Sequence, residues 1–144
     1  MKKVVLFAVI VLTACASQQA TNRPDVGIHL EQVNTPPDIF YFAGPLNLQY
    51  RISVTNPTDQ PITLKRLELR TVGPGAYRLR SASTPMNVSI PPRGSKTVTI
   101  SAWGYSNGGY LTATEPVTLN GIGYFDSPSG PFVRIFNENI FPGR

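Results

Sequence analysis

From Val26 onward apolar and polar residues alternate with a period of two, and no long stretch carries a helical period. The clearest run is 46–55, where Leu46, Leu48, Tyr50, Ile52 and Val54 point one way and Asn47, Gln49, Arg51, Ser53 and Thr55 the other. Successive side chains of a strand leave opposite faces, so this run predicts a strand with one buried and one wet face. Val26, Ile28 and Leu30 alternate with Gly27 and His29 and predict an earlier strand over 26–30. Between the two lie a proline-containing loop at 35–38, the aromatic run Ile39–Phe42 and the turn signal Ala43-Gly44-Pro45. Asn56-Pro57-Thr58-Asp59-Gln60-Pro61 then carries turn chemistry.

The next strand is predicted over 62–71, with Ile62 and Leu64 in one phase and Leu67 and Leu69 in the other. A one-residue slip would send half of these side chains to solvent, and a bulge around Lys65-Arg66 keeps all four on one face. Val72-Gly73-Pro74-Gly75 turns into a strand at 76–82, where Tyr77 and Leu79 alternate with Arg78 and Arg80. Met86, Val88 and Ile90 alternate again, Pro91-Pro92-Arg93-Gly94 breaks the chain, and Val98, Ile100 and Ala102 lead to Trp103. GYSNGGY at 104–110 reads as a loop rich in Gly, Asn and Tyr. Strands at 117–125 and 131–137 are joined by Asp126–Gly130; the last, PFVRIFN, is apolar on both faces in places, as a central or covered strand would be. Seven to eight short strands separated by regular turn signals predict an all-β fold, an antiparallel two-sheet sandwich of immunoglobulin-like or fibronectin-like type.

The first residues stand outside this pattern. Lys2 and Lys3 precede an uncharged apolar core running from Val4 to Leu12. That core is shorter than the ~20 apolar residues needed to span a bilayer and fits an export signal, which is removed from the mature chain. Leu12-Thr13-Ala14-Cys15 resembles the bacterial lipobox: an aliphatic residue, two small residues and the cysteine whose thiol receives diacylglycerol. The resemblance implies cleavage before Cys15 and a membrane anchor of two or more acyl chains, each held at ~0.8 kcal/mol per buried CH₂. Ala16, in place of an aspartate, implies the outer membrane of a Gram-negative envelope, its periplasmic face before the cell surface. The expected organisation is a signal peptide at 1–14, lipidated Cys15 and a polar, flexible tether to 25, and one sandwich domain over 26–144.

Composition sharpens this in two ways. Cys15 is the only cysteine, so the domain must hold together by packing, although exported compartments permit disulfides. The formal charge of +5 drops to +3 once Lys2 and Lys3 are removed, an ordinary solvated surface that, with export, argues against a nucleic-acid partner.

Two internal segments carry a further likeness. ISVTNPTDQPITLKRLEL at 52–69 is similar to the signature of type-2 late-embryogenesis-abundant (water-stress) domains and related bacterial immunoglobulin-like modules, in which a strand ends in Asn-Pro, turns and resumes as an aliphatic strand. IPPRGSKTVTI at 90–100 is similar to their later proline-glycine turn. The likeness implies a sandwich and, as an alternative function, a membrane-tethered water-stress protector.

Catalytic signals are sparse. His29, the one histidine, falls on the polar face of the first strand, and the acidic residues show neither metal-ligand spacing nor the paired carboxylates of a glycosidase. No nucleophile elbow, phosphate-binding loop or dinucleotide fingerprint occurs. The expectation is a non-enzymatic binding or assembly module of the cell envelope without metal or cofactor; a hydrolase built from distant carboxylates is a third option.

Two surfaces are candidates for binding. If 66–71 and 76–81 form a hairpin, Arg66, Arg70, Arg78 and Arg80 share its outward face with Glu68. Such a face suits an anionic glycan or the acidic face of an envelope protein, or else guards a sheet edge against aggregation. Trp103, Tyr105 and Tyr110 flank the glycine-rich loop, either as recognition residues or as a plug at the end of the sandwich.

Overall fold

The alternation over 46–55 becomes the spine of one sheet in the computed structural model, which describes residues 23–34, 43–107 and 115–142. Eight strands are found among them: β1 (Gly27–Gln32), β2 (Gly44–Thr55), β3 (Ile62–Val72), β4 (Tyr77–Leu79), β5 (Ala82–Ile90), β6 (Ser95–Ser106), β7 (Val117–Ser127) and β8 (Gly130–Ile140). They form two four-stranded antiparallel sheets, β1-β2-β6-β4 and β5-β3-β7-β8, stacked as the expected immunoglobulin-like sandwich. No helix occurs among the described residues.

Alternate residues of each inner face fill the space between the sheets. Leu46, Leu48, Tyr50, Ile52 and Val54 of β2 are buried against Ile62, Leu64, Leu67 and Leu69 of β3 and Val117, Leu119 and Phe125 of β7. Burying one such aliphatic side chain contributes about 1.5–3 kcal/mol. The phase change in β3 is a bulge: the register shifts between Leu64 and Arg66 against both neighbours, so Leu64 and Leu67 both reach the core. Pro85 sits opposite Arg66 on β5, an edge strand, where a residue without an N–H can be tolerated. In β7 the inner positions Gly121 and Gly123 leave room for the rings of Phe136 and Phe125, and Phe125 stacks on Phe132 at 5.1 Å.

A chain of phenols crosses one end of the core. Tyr77 donates its hydroxyl hydrogen to Gln32 Oε1 at 2.8 Å, so Tyr50, 2.8 Å away, donates to the Tyr77 oxygen. Burial pushes both phenols well above their ordinary range, because a phenolate there would lose its water. A raised folded pKa gives stability that is intact below the unfolded value and is lost as pH rises through the folded one. The native state should therefore weaken from about pH 10 upward, by about 1.4 kcal/mol per pH unit for each buried phenol. Tyr50→Phe should remove one such increment from the slope of thermal melting against pH between 10 and 11. Identical slopes in variant and wild type would show that Tyr50 ionises freely in the fold.

Three expectations are corrected by the topology. β4 does not pair with β3 as a hairpin; it crosses to the other sheet and pairs with β6. Residues 104–106 are strand, not loop, because β6 continues to Ser106 against both β2 and β4. PFVRIFN belongs to an edge strand, not a central one: β8 closes its sheet, with Val133 40% and Ile135 61% exposed on the outer face. Its inner side instead meets β1 and the segment before it, through His29 and Glu138 at 3.0 Å and Arg134 and Asp25 at 2.8 Å.

The register gives the sandwich two distinct ends. The chain enters at Val26, fully buried, beside Thr55, the partner of Gly27. Gly44, Ser106 and β4 lie at the opposite end.

Candidate functional site

Because β4 joins β6, the two surfaces suggested by the sequence meet. Arg78 lies directly across from Tyr105, and Leu79 across from Gly104. The Arg80 N–H donates to the Trp103 carbonyl at 3.0 Å, which carries the pairing one residue further. On the other side of β6, Pro45 faces Tyr105 and Asn47 faces Trp103. Inward positions of β6 are buried and outward ones exposed, so Trp103 and Tyr105 stand on the outer face, 59% and 62% exposed. Arg78, Arg80, Trp103, Tyr105 and Pro45 border a groove of about 430 Å³, with Leu79 and Gly104 beneath.

Local structure explains how so short a strand is held. Asn107 accepts no slack in the connection before β4: its N–H donates to Ala76 O at 3.3 Å and its side-chain amide to Gly75 O at 2.7 Å. Tyr77 and Leu79 then plug the core and leave Arg78 and Arg80 outside. Gly104 lets the two backbones approach, since a Cβ there would lie 2.9 Å from the Arg78 carbonyl oxygen.

The four arginines therefore do not form one face. Arg66 and Arg70 belong to the other sheet, where Arg66 lies over the Tyr124 ring at 4.0 Å and 3.4 Å from Glu68, and Arg70 donates to Asn120 at 3.3 Å. Among the described residues no carboxylate pairs with Arg78 or Arg80. Trp103 is not a core plug, and Tyr110 lies outside the described residues. Cys15 also lies outside them. His29 is exposed at the opposite edge of the same sheet, and no three His, Cys, Asp or Glu side chains among the described residues gather as a metal site requires. A second groove, of about 390 Å³, lies where the chain enters, between Arg23-Pro24 and the β7–β8 turn, without a comparable grouping of charge and aromatic rings.

Sequence reasoning found the arginines and the aromatics but missed Pro45, Asn107 and the shared groove. The signal for the groove was Gly104: a glycine inside an alternating run marks a place where another backbone comes close.

No family model and no curated protein matches the sequence. Solved structures do resemble the fold. A target of the Northeast Structural Genomics Consortium is similar at a TM-score of 0.55 and 16% identity, over 82% of this chain and 86% of the other. A Bordetella pertussis protein given the name ApaA is similar at a TM-score of 0.51 and 16% identity, over 83% and 94% of the two chains. A late-embryogenesis-abundant protein is similar at a TM-score of 0.44 and 15% identity, over 88% and 77%. The first two likenesses establish a shared β-sandwich architecture.

Proposed function

We propose that this chain is a lipoprotein of the bacterial envelope, processed before Cys15, whose sandwich is a non-enzymatic binding module at the periplasmic face of the outer membrane. The observation that carries the binding role is the convergence of Arg78, Arg80, Trp103 and Tyr105 on one groove. Guanidinium groups keep their charge at every physiological pH and bind carboxylates or phosphates through paired N–H donors. Exposed Trp and Tyr add large, rigid apolar faces with a polar tip. This combination attracts and orients an anionic partner.

The anchor is supported by the lipobox likeness at Leu12–Cys15, and the fold fits it. Ten residues lie between Cys15 and Val26, which sets the greatest reach from the lipid to the domain at about 38 Å. The groove lies at the far end of the sandwich, the better part of the ~40 Å length of a twelve-residue strand beyond Val26. A partner held there can stand well clear of the membrane surface.

Each half of the proposal has its own test. Cys15→Ser should yield unprocessed precursor carrying no acyl label, and labelled lipid on that variant would remove the anchor assignment. Crosslinking in intact cells should capture a specific envelope partner that Arg78→Ala plus Arg80→Ala loses and Arg66→Ala plus Arg70→Ala retains. Equal capture by both double variants would take the groove out of consideration.

A further inference from the structure

We infer that the groove between β4 and β6 binds an acidic oligosaccharide, one whose successive sugars carry carboxylates; this rests on the reading of the same groove as the recognition surface. The argument begins with a repeat. Trp103 and Tyr105 are two residues apart on one strand, so their rings emerge on one face about 6–7 Å apart. Arg78 and Arg80 are two residues apart on the neighbouring strand and its extension, with the same spacing and on the same face. Arg78 is the cross-strand partner of Tyr105, and Arg80 is bonded through its backbone to Trp103. One unit of ring plus guanidinium is thus repeated twice in line.

That repeat matches the chemistry of an acidic glycan. A sugar ring presents a face of C–H groups that packs on an aromatic ring, while its hydroxyls project around the rim. A carboxylate on the same sugar would reach the guanidinium beside that ring and accept two parallel hydrogen bonds. The surroundings favour a sugar over an acidic protein. Outward neighbours on β2 and β6 are Asn47, Gln49, Thr99 and Ser101, whose amides and hydroxyls suit sugar hydroxyls. Protein interfaces centre on an apolar, desolvated core. On β2, β4 and β6 the exposed large apolar side chains are Trp103 and Tyr105 alone, whereas exposed aliphatics such as Val133 and Ile135 stand on β8 of the other sheet.

Trp103 is the only tryptophan in the chain, so its emission reports on the groove directly. The full chain, purified in detergent, is titrated with hexagalacturonate, with neutral maltohexaose and with a hexaglutamate peptide. Hexagalacturonate should change the emission saturably. Maltohexaose and hexaglutamate should each bind at least tenfold more weakly, the first for want of carboxylates and the second for want of a sugar face. Arg78→Ala plus Arg80→Ala should weaken hexagalacturonate at least tenfold with an unaltered melting temperature, and Arg66→Ala plus Arg70→Ala should leave it unchanged. No saturable response to hexagalacturonate, or equal binding of hexaglutamate, overturns the glycan inference. If that happens while partner capture in cells still depends on Arg78 and Arg80, the groove stands as the recognition surface and only its ligand class is wrong. If capture is also independent of them, both readings fall.

Discussion

Asn56→Ala should lower the stability of the domain by about 3 kcal/mol, and Asn56→Asp by more, because this side chain is the buried knot between two turns. Asn56 is fully buried although it opens a turn, directly after the last residue of β2. Its amide nitrogen donates to Gln60 O at 2.8 Å and Pro91 O at 3.1 Å, with Ile90 O at 3.5 Å. Its oxygen accepts from the Thr58 N–H at 3.0 Å and the Thr58 hydroxyl at 2.8 Å. Alanine leaves the Thr58 N–H without its partner, at about 1–3 kcal/mol, and removes one donor each from Gln60 O and Pro91 O, at about 0.5–1.5 kcal/mol apiece; those carbonyls keep the Thr58 hydroxyl at 2.9 Å and the Gly94 N–H at 3.2 Å. For a domain of this size the loss corresponds to about 10 °C in melting temperature.

Aspartate keeps the acceptor but aims a second carboxylate oxygen at carbonyl oxygens in a buried site. The carboxyl can then sit there only by keeping its proton, so its folded pKa is raised. Stability of the Asn56→Asp variant should therefore be higher at pH 4 than at pH 8 and fall as pH rises between them. The nearby ion pair of Asp59 and Arg93, at 2.7 Å, serves as the control. Arg93 holds the Asp59 carboxyl below its usual range, yet both groups are fully exposed, so Asp59→Asn should change the melting temperature little. A loss below 1 kcal/mol for Asn56→Ala would show that the backbone bonds Asn56 N–Gly94 O and Arg93 N–Thr58 O, both 2.9 Å, hold the turns unaided.

The Asn56 knot also shows why much of the fold was legible in the sequence. Asn-Pro at 56–57 and Pro-Pro-Arg-Gly at 91–94 signal turns by local chemistry, and the strands they close have unbroken alternation. The phase slip between Leu64 and Leu67 was readable for the same reason, since only a bulge buries both. What could not be read was pairing across long separations. A three-residue strand has too few positions to show which sheet it joins, and nothing local distinguishes a turn at 73–75 that returns to β3 from one that carries the chain across to β6. β8 misled for a different reason. Apolar residues on both faces usually mean cover on both faces. Here Phe132 and Phe136 pack inward while Val133 and Ile135 stay in solvent.

The site was legible in its residues and not in its assembly. Arg78 and Arg80 are legible as charges on the outward phase of an alternating run, Trp103 and Tyr105 only as rings flanking a glycine-rich segment read as loop. Joining them needed the crossover of β4, a tertiary fact. It also divided the arginines, leaving Arg66 and Arg70 against Tyr124 and Asn120 on the far sheet.

Gly104 is where fold and site depend on one another, and Gly104→Ala is expected to open the groove without unfolding the sandwich. The added Cβ would lie 2.9 Å from the Arg78 carbonyl oxygen and 3.1 Å from Leu48 Cδ1. The leucine methyl can turn aside, but the carbonyl is backbone and can move only if β4 moves. β4 has three register pairs with β6, against twelve between β2 and β6, so β4 is the partner that yields. Overpacking of this kind costs about 1–3 kcal/mol, and Tyr77 and Leu79, seated in the core, share the displacement. The amides of Arg78 and Arg80, which point at β6, should exchange with solvent at least tenfold faster, while those of Ile52 and Leu48 in β2 keep their protection. Trp103 emission should shift as Arg80 leaves its side, and partner capture should fall as it does for the double arginine variant. Gly44→Ala is the matched control on the adjacent strand, where a Cβ meets nothing within 4 Å. Unchanged exchange at Arg78 and Arg80 in Gly104→Ala would mean that β4 tolerates the contact, and that the close approach at Gly104 does not set the position of Arg78.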